Sequence, residues 1–154
     1  MGGKSRERPI SLLSGRACFN EIKKLGYKVF KFDPVKQIEK NIKNINPDII
    51  FNCLHGKYGE DGKIQKILEK IKIPYTHSGI KSSENAMNKI KSKKIFIKNN
   101  IQTPDYKVIR KLSDLDKKIS KSKFIIKPID EGSSLGVEIF TKVSDSNKKK
   151  IINL

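Results

Sequence analysis

Apolar residues at Ile10, Leu13, Ala17, Ile22 and Leu25 recur at helical spacing and stop at Gly26, which predicts a helix over 10–25 with a glycine just past its end. Residues 28–33 then alternate as a strand does, and 35–44 form a second, weaker helix closed by Pro47. The run 48–54 contains Ile-Ile-Phe without interruption, the pattern of a parallel strand covered on both faces. It leads into His55-Gly56-Lys57-Tyr58-Gly59-Glu60-Asp61-Gly62, a glycine-rich loop, and then a helix with Ile64, Ile67, Leu68 and Ile71 on one face. Residues 73–76 form a short extended piece, and 82–99 form one further helix. After Gln102-Thr103-Pro104 the pattern changes to strand 106–109, helix 113–119, strand 124–127, loop 128–136 and strand 137–140, with a last helix starting at the N-cap candidate Ser144. Strand, glycine loop and helix in succession describe an α/β protein that binds ligands at the carboxyl ends of its strands. The expected division is an N-terminal open parallel α/β domain over 1–100 and the opening of a second domain over 101–154, hinged near residue 101.

Both ends read as abrupt. The glycine turn at Met1-Gly2-Gly3 stands where a loop normally follows a buried strand, so a preceding strand is expected outside the sequence. Lys148 to Leu154 reads as the middle of an amphipathic helix.

The formal net charge of +18 raises the question of nucleic acid. Only Arg6, Arg8, Arg16 and Arg110 are arginines, and the remaining basic residues are lysines scattered among Ile and Asn. A phosphate-binding stripe would cluster its cations and favour arginine, so solvated lysine faces are the better reading and no nucleic-acid partner is expected. Cys18 and Cys53 lie in apolar segments without CxxC spacing, as buried free thiols do, and the two histidines do not complete a zinc set. No apolar run reaches the ~20 residues of a membrane span and no signal sequence opens the chain, which gives a cytoplasmic expectation with no membrane partner.

Four segments carry candidate chemistry. Glu7, in Gly2-Gly3-Lys4-Ser5-Arg6-Glu7-Arg8, can grip an ammonium, while Ser5 and free N–H groups at the helix start can hold an anion; a capped surface loop is the alternative. Gly3-Lys4-Ser5 also looks like the tail of a P-loop, but its leading glycine would fall before residue 1 and Pro9 intervenes before the helix. His55 stands at a strand's carboxyl end among three glycines, where substrates approach backbone closely. Lys127 precedes Pro128 and faces Glu131-Gly132-Ser133-Ser134-Leu135-Gly136, a small-residue connection longer than a plain hairpin turn requires and suited to covering phosphate. Lys89 is the fourth candidate and has little beyond its charge to recommend it.

In order along the chain, Gly2-Gly3-x-Ser5-x-Glu7-Arg8-x-Ile10-Ser11-Leu12-x-Ser14-Gly15, Leu54-His55-Gly56-x-x-Gly59-Glu60-Asp61-Gly62-x-Ile64-Gln65, Ile73-Pro74-Tyr75-Thr76 and Lys127-Pro128-x-x-Glu131-Gly132-Ser133-Ser134-x-Gly136 resemble the D-alanine:D-alanine ligases of the ATP-grasp superfamily. The resemblance implies a Rossmann-like pre-ATP-grasp domain followed by the start of an α+β ATP-grasp domain. It implies an enzyme that phosphorylates one D-alanine with ATP and joins the acyl phosphate to a second, making the dipeptide of peptidoglycan. By matching position Glu7 would hold the first D-alanine's ammonium with Ser133 in the same network, and His55 and Ser134 would line the substrate site. Lys89, Lys127, Glu131, Gly132, Ser133, Ser134 and Gly136 would contact ATP. Three positions depart from the family's pattern: Pro9 for a second glutamate, His77 for a glycine and Asn88 for an aspartate. The family's Mg²⁺ ligands come later in its chains, so this sequence reads as an N-terminal fragment, inactive alone and with an open sheet edge. A non-catalytic D-amino-acid-binding module, or a ligase making D-alanyl-D-lactate or D-alanyl-D-serine, is the alternative, and a homodimer of the full-length protein is left open.

Overall fold

The structure is a computed structural model and describes residues 1–115, 123–144, 147, 150 and 151. Its backbone divides into two compact units, Met1–Met87 and Asn88–Leu154.

In the first unit α1 spans Arg8–Lys24, α2 Ile38–Ile45, α3 Lys63–Lys70 and α4 Ile80–Met87. Pro9 occupies the first turn of α1, where its missing N–H costs no helical bond and its fixed φ suits the start. The apolar stripe that predicts this helix is not its buried face. Leu13 is 67% exposed and Ile10 49%, whereas Ser11 is fully buried and Gly15 is also inside. The reason is hydrogen bonding and close approach. The Ser11 hydroxyl accepts from the Gly2 N–H at 2.8 Å and donates to the Cys53 carbonyl at 2.6 Å. A Cβ on Gly15 would lie 2.3 Å from that of Met1, so only glycine lets those segments touch.

Helix α2 ends at Asn46 in the left-handed conformation, directly before Pro47. The core of this unit is Ile42, Leu54, Ile64 and Leu68, with Phe32, Ile38, Ile50 and Tyr75 among the side chains packed on it. The segments expected as strands carry little ladder. Residues 28–33 are tied through the Met1 N-terminus to the Phe32 carbonyl, and 48–54 make one parallel bridge, Ile50 with Tyr75. Ile50 N–H donates to Pro74 at 2.9 Å and its carbonyl accepts from Thr76 at 3.1 Å, so the parallel direction is as expected. The expectation that 48–54 is covered on both faces does not hold. Ile49 and Phe51 are 56% and 51% exposed while Ile50 and Leu54 turn inward, the alternation of a half-covered strand.

The second unit begins earlier than the expected hinge at 101. The stretch 82–99 is two helices, because Asn88 leaves helical backbone and caps α5, Lys89–Lys98, its side chain accepting from the Lys91 N–H at 3.0 Å. Helix α5 is tied to the residues on its C-terminal side. Lys89 N–H donates to the Ile129 carbonyl at 2.9 Å, and Lys93 Nζ binds Thr103 Oγ1 at 2.7 Å. Residues 106–109 pair with no strand among the described residues, against expectation. The expected helix 113–119 shows a single 3₁₀ turn, Leu112–Asp114, and its remainder lies outside the described residues. Strands β1, Phe124–Ile126, and β2, Glu138–Phe140, form an antiparallel pair with Phe124 opposite Phe140 and their rings stacked 5.5 Å apart. Ser144 N–H donates to the Asn147 side chain at 2.8 Å and Asn147 N–H returns to Ser144, the geometry of a helix start, and most of the last helix lies outside the described residues.

Candidate functional site

The turn 2–7 reaches the carboxyl end of the 48–54 segment through Ser5. Its hydroxyl donates to the His55 carbonyl at 2.7 Å and accepts from the Glu7 N–H at 3.2 Å. Ser5 therefore anchors the loop to the carboxyl end of the 48–54 segment. Asp33 fixes the same turn from the other side. It accepts from Gly3 N–H at 2.8 Å and pairs with Arg8 at 2.7 Å, while Arg8 Nη1 also donates to the Gly3 carbonyl at 2.8 Å. Burial alone would push the Asp33 carboxyl up, but the Arg8 guanidinium and the Gly3 amide outweigh it and hold it below the ordinary value.

Glu7 is buried, 5% exposed, and a Cβ on Gly56 would stand 2.7 Å from its Oε1. Gly56 has φ +70, so glycine is needed there both for conformation and for room above the carboxylate. His55 Nε2 is 3.2 Å from Ser14 Oγ on α1, and the Gly56 N–H donates to Glu60 at 2.6 Å. The structure thus brings the Glu7 carboxylate against Gly56 and ties the backbone of His55 to the same turn, with the His55 imidazole facing Ser14 of α1.

Two residues behind that loop were not singled out from the sequence. Gln65 is fully buried, and its Nε2 donates to the Gly59 carbonyl at 3.0 Å; Asn52 Nδ2 donates to the same oxygen at 3.2 Å. The available signal was Gln65 itself, a polar residue set between Ile64 and Leu68 on the buried stripe of α3.

In the second unit the Lys89 Nζ donates to the Glu131 carbonyl. Burial pushes its ammonium below the ordinary lysine value and the neighbouring Lys127 charge adds to this, with Asp130 and Glu131 opposing. Lys89, the weakest candidate from sequence, is therefore brought to the 127–137 connection, where Lys127 is exposed. Ser133 and Ser134 have φ 49 and 59, left-handed values that cost a non-glycine residue about 1 kcal/mol or more each. Gly136, at φ +67, passes where a Cβ would lie 2.7 Å from Pro128 Cγ. Two ammonium groups beside an exposed turn of small residues, Gly132 to Gly136, suit a polyphosphate.

Comparison with known proteins supplies the family. The family described as D-ala D-ala ligase N-terminus matches residues 30–78. The D-alanine--D-alanine ligase of Pelagibacter ubique is 51% identical over 98% of this chain and 52% of its own length. That of Rickettsia typhi is 44% identical over 94% of this chain and 45% of its own. A crystal structure of the Bacillus anthracis D-alanine--D-alanine ligase complexed with ATP superposes with a TM-score of 0.78 at 30% identity, covering 99% of this chain and 53% of that one. The chain spans about half the length of the curated relatives it matches. Its fold of mixed helices and strands is of the class seen in these ligase structures. Within that class the chain belongs to the D-alanine–D-alanine ligase family.

Proposed function

We propose that this chain supplies the amine-binding and phosphate-binding residues of a cytoplasmic enzyme that joins two D-alanines, using ATP to make an acyl phosphate, for peptidoglycan synthesis. The observation that carries the proposal is Glu7, a carboxylate 5% exposed that lies against Gly56 of the glycine loop. A buried carboxylate beside a loop that only glycine permits favours a compact cation, and the ammonium of a small amino acid fits that demand.

In this reading Glu7 binds the ammonium of the first D-alanine and His55 lines the pocket. Lys89, Lys127, Glu131, Gly132, Ser133, Ser134 and Gly136 hold ATP. ATP supplies the phosphoryl group that turns a carboxylate into a good acyl donor. The two lysines offset the negative charge of the phosphates, and the left-handed backbone of Ser133 and Ser134 presents the turn before nucleotide arrives. Mg²⁺ would accompany the phosphates, and its carboxylate ligands are not assigned to this chain.

The test is a titration of the ¹⁵N-labelled chain with D-alanine. Saturable shifts are expected at Gly56 and Glu60, weaker with L-alanine and abolished by Glu7→Gln. ATP titration should instead move Gly132 to Gly136, with Lys89→Gln weakening it. Spectra unmoved by millimolar D-alanine, or Glu7→Gln shifts equal to the native ones, would remove the proposal.

A further inference from the structure

The carbonyl of Gly59 sits at the centre of the glycine loop and is held by two side-chain amides, Asn52 Nδ2 at 3.2 Å and Gln65 Nε2 at 3.0 Å. A carbonyl oxygen only accepts, so the atom of Gln65 that faces it must be the NH₂ group. The same NH₂ nitrogen lies 3.0 Å from Nδ1 of His77. Its two hydrogens then go one to Gly59 and one to His77, and Nδ1 must be the acceptor. With Nδ1 as the acceptor, the ring proton of His77 lies on Nε2.

The opposite rotation of the Gln65 amide would put an oxygen 3.0 Å from the Gly59 carbonyl, two acceptors in contact. The orientation observed leaves Gln65 Oε1 buried without a hydrogen-bond partner among the described residues. A buried amide oxygen in that state is costly, and it gives Gln65 a reason to leave the loop. What opposes this is the second bond from the NH₂, the one to His77.

We propose that His77 is a positioning residue for the glycine loop: by accepting from Gln65 at Nδ1 it holds the one amide orientation in which Gln65 and Asn52 together secure the Gly59 carbonyl. The inference rests on reading the 55–62 loop as part of the substrate site. It assigns a role to the position where this sequence carries histidine in place of the glycine of its family pattern. Asn52 is itself kept in register, since its Oδ1 accepts from the Leu54 N–H at 3.0 Å. The carbonyl of Gly59 thereby links the 48–54 segment, α3 and the 73–77 segment, and Glu60 and Gly56 are carried with it in the loop.

The first measurement is a through-hydrogen-bond nitrogen–nitrogen coupling between Gln65 Nε2 and His77 Nδ1 in the native ¹⁵N-labelled chain. It should be present, with the imidazole proton on Nε2. The second is amide hydrogen exchange. His77→Ala should lower the protection of the Glu60 and Ile64 amides at least tenfold and leave that of α1 unchanged. His77→Asn, whose Oδ1 can stand where Nδ1 stood, should restore most of it. A proton found on Nδ1, protection in His77→Ala equal to the native chain, or an Asn variant no better than the Ala variant would each overturn the proposal. D-alanine titration of the same samples separates the two readings. A native coupling and protection pattern with no D-alanine response would leave the role of His77 standing and remove the substrate assignment.

Discussion

Replacing Ser11 with alanine should destabilise the first unit far more than the loss of one surface hydroxyl would suggest. The side chain has no exposed surface, and its oxygen serves two backbone groups from distant parts of the chain, accepting from Gly2 and donating to Cys53. Alanine fits the space but offers neither. The Gly2 N–H is buried, so losing its acceptor costs about 1–3 kcal/mol, whereas the Cys53 carbonyl is partly buried and retains some access to water, costing about 0.5–1 kcal/mol. The sum, about 1.5–4 kcal/mol, corresponds to roughly a 10- to 900-fold fall in the folding equilibrium constant and is a large share of the ~5–15 kcal/mol typical of a domain. Urea unfolding followed by far-ultraviolet circular dichroism measures it, with Leu13→Ala on the exposed face of the same helix as the reference for helix propensity. If Ser11→Ala shifts the midpoint no more than Leu13→Ala does, the claim that polar contacts orient α1 is wrong.

Gly59→Ala should cost ~1–3 kcal/mol in the same unfolding assay, because its Cβ would stand 2.4 Å from Leu54 Cβ and 2.9 Å from the Leu54 carbonyl carbon, neither of which can swing aside. Asp33 is held below its ordinary carboxyl value of 3.8, so its contribution to stability is complete above that value and is lost as pH falls through the lower, folded one. Unfolding midpoints of the native chain should therefore drop on acidification below about pH 4, and Asp33→Asn should flatten that drop. Burial and a hydrogen-bonded neighbour, Cys18, push the Cys53 thiol up to about 11, so iodoacetamide should label it slowly near neutral pH and faster as pH approaches that value. Rapid labelling of Cys53 in the folded chain near neutral pH, judged against the unfolded chain, would contradict its described surroundings.

Local pattern carried the positions of the helices and the spacing of the candidate residues. Helix α3 and its apolar face, the end of α2 at Asn46 before Pro47, and the β1–β2 pair all arise from interactions within a few residues or across one short connection. The glycine loop after 48–54 was legible for the same reason, since Gly56 needs its conformation whatever surrounds it. Tertiary structure decided which face of α1 turned inward, because burial there depends on Gly2 and Cys53, which no helical period within 10–25 encodes. It also decided that Asn88 divides one apparent helix in two, that Lys89 lies beside Lys127 and Glu131, and that Gln65 and His77 share a hydrogen bond across twelve positions. A sequence states which groups can donate, accept or pack. Which of them meet is set by the whole chain closing on a core, where each buried polar atom takes the partner that arrives.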